Sequence, residues 1–144
     1  MPTIPPGTYL GRNDVIGRTL VSIVQNGSTE PGGMDWAFSY YRLDSGAVFG
    51  LGCQDNGTFV SEIVPEDAGP IEHPLIDHVL GQQIVQVLRD GPESGMHLDS
   101  PYLVLQNGLL VTDVMGAPQG LGAVGVYIYT ADEVDLSKLI EFFD

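Results

Sequence analysis

The chain is 144 residues long and 43% hydrophobic, which fits one domain with a sizeable core, so residues 1–144 are read as a single domain. Its 19 acidic residues against 5 basic ones give a formal net charge of −14, a field that repels nucleic acid and anionic membrane and favours encounter with a basic surface. One cysteine, Cys53, rules out an internal disulfide; with no apolar run near the ~18 residues of a membrane span and no basic start ahead of an apolar stretch, the expected location is the cytoplasm.

In chain order, prolines at 2, 5 and 6 hold residues 1–10 as an extended arm. A short β-branched run at 20–24 reads as a strand, and the three glycines and proline of 26–33 as a loop. Strands are expected at 38–43 and 47–51, joined by Asp44, Ser45 and Gly46, and a fourth at 58–64 that ends at Pro65. After an acidic linker at 66–70, residues 74–80 read as a short helix, with Pro74 in its first turn and Gly81 closing it.

A second set of strands follows at 84–88, 102–106, 109–114 and 124–130, with Asn107 and Gly108 giving the strongest hairpin-turn signal in the chain. Asp132 or Asp135 can cap a last helix over about 132–143, because Leu136, Leu139, Ile140 and Phe143 recur at helical spacing.

These two sets read as one unit written twice. Val15, Gly17, Leu20, Val21 and Val24 fall on Val79, Gly81, Ile84, Val85 and Leu88 at an offset of 64. After a two-residue slip the offset becomes 62, and Met34, Tyr40, Leu43, Gly46 and Val48 fall on Met96, Tyr102, Leu105, Gly108 and Leu110. The fold class expected is therefore a β-rich α+β domain. Two pseudo-repeated four-strand antiparallel meanders, about 12–65 and 76–130, share one core, with a short linking helix and a C-terminal helix. Units of about 60 residues are too short to be comfortable alone. Whether the strands form one curved sheet or two packed sheets is left open by pattern alone.

No constellation in the sequence names a reaction. Residues 120–125 spell G-x-G-x-x-G, but the last glycine is followed by Val126, Tyr127, Ile128 and Tyr129, a strand sequence, where a dinucleotide site needs a helix N-terminus. The motif is therefore read as a glycine-rich loop before the last strand. His73, Asp77 and His78 have metal-ligand residue types. His73 and Asp77 would share one helix face while His78 points away, and a two-ligand site is poor for zinc. Cys53 follows the expected strand at 47–51 with no histidine near it in sequence, which reads as a small residue at a strand end. No catalytic residue, cofactor or metal site is assigned.

Trp36, Phe38, Tyr40 and Tyr41 crowd one strand and its approach. Tyr and Trp anchor protein interfaces, and a rim of carboxylates around them makes a docking surface. Asp35, Trp36, Tyr40, Tyr41 and Asp44 are the partner-binding residues expected. In size and composition the chain resembles bacterial immunity proteins, which are often acidic and block a basic toxin domain; the likeness rests on no motif. It implies a non-enzymatic protein that occludes a basic partner, with carboxylates steering association. Two other classes stay open: a structural or regulatory adaptor that self-associates into a homo-oligomer, and a small-ligand protein or enzyme with its site between the two halves.

Overall fold

Period-two alternation, punctuated by glycine turns, builds the strands, and tertiary pairing decides where they end. The computed structural model describes residues 4–28, 36–55, 57–71, 73–91, 101–114 and 125–143. In chain order the elements are β1 (Tyr9–Leu10), α1 (Arg12–Val15), β2 (Leu20–Ser28), β3 (Trp36–Leu43), β4 (Val48–Asp55), β5 (Thr58–Ser61), β6 (Gly69–Pro70), β7 (Ile84–Asp90), β8 (Tyr102–Leu105), β9 (Leu110–Val114), β10 (Gly125–Tyr129) and β11 (Leu139–Glu141). They form two antiparallel sheets, ordered β1-β5-β4-β3-β2-β6 and β10-β9-β8-β7-β11.

The sheets join just before β2 and β7, where Thr19 and Gln83 form an antiparallel bridge. Four backbone hydrogen bonds surround it: Gly17 N to Ile84 O (2.7 Å), Gly81 N to Leu20 O (2.8 Å), Leu20 N to Gln82 O (2.9 Å) and Ile84 N to Arg18 O (2.8 Å). Gly17 and Gly81 hold φ of 90° and 88°, a left-handed conformation that glycine adopts without steric cost and that turns each preceding helical turn into its strand. Past the bridge, each strand slips register by one residue, between Leu20 and Ser22 and between Ile84 and Gln86. These bulges turn Val21 and Val85 outward, each 46% exposed.

Buried side chains of both sheets make one cluster, in which Leu20, Tyr41 and Phe49 of the first meet Ile84, Leu103 and Val111 of the second. A column of rings runs through it: Tyr41 stacks on Phe49 at 6.0 Å, Phe49 on Phe59 at 4.5 Å, and Phe59 on Phe142 at 4.7 Å, with Phe143 edge-on to Phe59. A smaller cluster, in which Val134 and Leu139 cover Leu88, Tyr102 and Leu110, seals the far face of the second sheet. Strand β9 is therefore buried on both faces, with Leu110, Val111 and Thr112 at 0% exposure.

The expected short linking helix over 74–80 is shortened to a three-residue 3-10 turn, Ile76–His78, followed by Gly81 at a φ of 88°. The C-terminal helix over 132–143 is absent. Asp135 caps a 3-10 turn, Leu136–Lys138, and β11 then pairs with the free edge of β7. A lone helix this short is marginal in water, whereas a strand on β7 gains ladder hydrogen bonds and still buries Leu139 and Phe142. Ile140 and Leu136, assigned to a buried helix face, are 38% and 41% exposed. Strand β4 also runs further than expected, so Cys53 lies within it and not beyond its end; the Cys53 side chain is outside the described residues.

Candidate functional site

The expected partner-binding residues do not gather on one face. Side chains on β3 alternate, so Ser39, Tyr41 and Leu43 point into the core while Tyr40 and Arg42 point outward. Tyr41 is fully buried and its ring belongs to the aromatic column, which corrects its assignment to a docking surface. Tyr40 is half-buried opposite Val24 of β2. Asp44 is exposed at the β3–β4 turn, where its N–H donates to Thr19 O (3.0 Å) and its Oδ1 accepts the Thr19 N–H (3.3 Å), tying the turn to the bridge between the sheets. Trp36 opens β3 opposite Ser28, but its side chain lies outside the described residues, as does all of Asp35.

On the outer face of the first sheet, Gly50 lacks a side chain and the Glu62 carboxylate lies across it; a Cβ built on Gly50 would meet Glu62 Oε2 at 2.6 Å. Partial burial pushes the Glu62 carboxyl above its ordinary range, opposed by a hydrogen bond to the Gly50 backbone.

The inward residues of β3 make a polar cluster that sequence reasoning missed. Tyr41 Oη donates to Asp113 Oδ1 of β9 across the two sheets at 3.0 Å, Ser39 also hydrogen-bonds Asp113, and Gln25 Nε2 of β2 donates to Ser39 Oγ at 3.0 Å. Asp113 is 5% exposed. Burial pushes its carboxyl up to about 6, and the hydrogen bonds from Tyr41 and Ser39 pull the other way. Burial, with the Asp113 charge beside it, also pushes the Tyr41 phenol well up. The signal was present in the sequence of β9: Asp113 stands two residues after Val111 in an apolar strand, on the same side.

The remaining motifs stay apart. His73 is half-buried, while Asp77 and His78 are exposed. Among the described residues no three His, Cys, Asp or Glu side chains converge to hold a metal ion. Residues 120–124 of the glycine motif lie outside the described residues, and Gly125 opens strand β10, not a helix. No helix of the described residues is long and apolar enough to cross a membrane. Compared with known protein families, curated proteins and solved structures, the chain matches none.

Proposed function

We propose that the chain is an acidic, non-enzymatic cytoplasmic protein that binds and neutralises a basic partner protein, as toxin-immunity proteins do. The observation that carries this reading is the imbalance of its surface. Asp14, Asp44, Glu66, Asp67, Asp77, Asp132, Glu133 and Asp135 are all exposed. Among the described residues a single ion pair, Arg12 with Glu141, engages a carboxylate. Exposed carboxylates in such excess over cations raise the local concentration of a basic partner and speed its encounter.

We further propose that the chain arose by duplication of one unit, about 12–65 and 76–130. Support comes from the junction: the bonds from Gly17 N to Ile84 O and from Gly81 N to Leu20 O exchange donor and acceptor between positions 64 apart. The hairpin turns agree, since Gly46 N bonds Leu43 O at 3.0 Å and Gly108 N bonds Leu105 O at 2.9 Å, positions 62 apart.

The functional test is a tagged pull-down from the native host at low and high salt, followed by binding kinetics of the captured protein. One basic protein retained at both salts, whose association with the Glu66→Lys/Asp67→Lys variant is slower at unchanged stability, supports the reading; both carboxylates are exposed. Recovery of the chain alone sinks it and favours a self-associating adaptor.

A further inference from the structure

We propose that Asp113, Tyr41 and Ser39 form a proton-operated latch between the two sheets, closed when the Asp113 carboxyl is protonated and loosened when it is ionised. The inference stands independently of the partner-binding reading.

Its basis is a buried carboxylate with no lysine or arginine beside it. Asp113 lies on the core face of a strand buried on both sides. All five basic residues, Arg12, Arg18, Arg42, Arg89 and Lys138, are exposed. Residues 115–124, which continue the chain from β9 to β10, contain no Lys, Arg, His, Asp or Glu at all. From β3, Tyr41 is the one titratable group against Asp113, and Ser39 adds a neutral hydroxyl. From β10, Val126 stands opposite it in the ladder, and the core residues of β4 are Phe49 and Leu51. Glu62 lies over Gly50 on the other face of the first sheet.

Among the described residues an ionised carboxylate here is held by the neutral donors Tyr41 and Ser39, and a buried charge without a counter-charge is costly. Protonation removes the charge and leaves a group able both to accept and to donate. The two protonation states therefore favour different tightness at one defined place, the seam where β3 crosses β9. Charge is the variable, and the Gln25 amide bonded to Ser39 extends the coupling into β2.

Backbone hydrogen exchange of the full chain, compared at pH 5 and pH 7.5 after correction for intrinsic exchange chemistry, tests the latch. In the unmodified protein, amides of β3 and β9 are expected to lose about tenfold or more in protection at the higher pH, each pKa unit being worth a factor of ten. The loss should be confined to these strands, absent in Asp113→Asn, and kept in Glu62→Gln. Equal protection at both pH values, a loss spread evenly over both sheets, or the same loss in Asp113→Asn would each overturn the proposal. Should Asp113→Asn fail to fold, the carboxyl carbon shift of Asp113 in the unmodified protein decides. A titration near pH 6 in step with the β3 and β9 amides supports the latch, and a titration near 4 removes it.

Discussion

The hydroxyl of Tyr41 and the carboxylate of Asp113 meet at 3.0 Å between two sheets, so one buried hydrogen bond ties β3 of the first sheet to β9 of the second. The Tyr41 ring is at the same time one end of the stack that runs through Phe49 and Phe59 to Phe142, near the C-terminus. Polar and apolar cohesion of the core thus share a side chain, and a change at Asp113 is felt by the aromatic column.

Stability should fall as pH rises through the range between the ordinary carboxylate pKa and about 6. The Asp113 carboxyl goes from 3.8 to about 6 on folding, so in that window the folded chain binds more protons than the unfolded one. Its contribution is least unfavourable below pH 4 and is fully unfavourable above 6, by up to about 3 kcal/mol. Glu62 shifts in the same direction, while exposed Asp132 and Asp135 shift down and act only at more acid pH. Urea unfolding midpoints from pH 4 to 8 should therefore decline, and Asp113→Asn should reduce that slope without abolishing it. A midpoint that rises across this range would contradict the burial of an unpaired carboxylate.

Tyr41→Phe keeps the ring and removes only the donor. The carboxylate then loses a hydrogen bond in a place water does not reach, which costs about 1–3 kcal/mol at pH 7.5. Because that bond lowers the Asp113 pKa, its loss also moves the carboxyl further up, and the decline of stability with pH should extend to higher pH. A variant with unchanged midpoint and slope would show that the hydroxyl and carboxylate are uncoupled in solution.

Gly17→Ala and Gly81→Ala should cost the same, about 1–2 kcal/mol each, the penalty of a left-handed L-residue. A methyl group added at either position would have no neighbouring atom within 4 Å, so no packing difference separates them. Both donate across the bridge, to Ile84 O and Leu20 O. If the four-bond junction acts as a unit, the double variant departs from the sum of the singles; strict additivity in chemical unfolding would make the two turns independent.

Much of this architecture was legible. Apolar alternation around Asp44-Ser45-Gly46 and Asn107-Gly108 marked both central hairpins. Strand ends were less legible, because pairing and not composition extends β2 to Ser28 and β4 to Asp55. The C-terminal segment misled for a physical reason. Leu136, Leu139, Ile140 and Phe143 satisfy helical spacing, yet what decides their conformation is an open strand edge on β7, some fifty residues earlier in the chain. The site misled similarly. Tyr40 and Tyr41 are neighbours in sequence and lie on opposite faces of one sheet, while Asp113, a lone acid two residues after Val111 in an apolar strand, is the group Tyr41 meets.

A methyl group at position 91 tests the C-terminal strand directly. A Cβ on Gly91 would stand 2.6 Å from Lys138 O, to which the Gly91 N–H already donates at 3.1 Å, and 3.2 Å from Ile140 Cγ2. The obstacle is backbone, so Gly91→Ala has to move the Leu136–Lys138 turn away from β7, at a cost of about 1–3 kcal/mol as for other overpacked sites. Moving it also loosens β11 and the seat of Phe142, whose N–H donates to Val87 O at 3.0 Å. Gly69→Ala is the control, because nothing lies within 4 Å of its Cβ direction and its φ is not left-handed; it should be neutral or slightly stabilising. A destabilised Gly91→Ala beside an unaffected Gly69→Ala in thermal unfolding places the last strand on β7. Equal midpoints for the two would instead return the segment to the helix that its spacing favours.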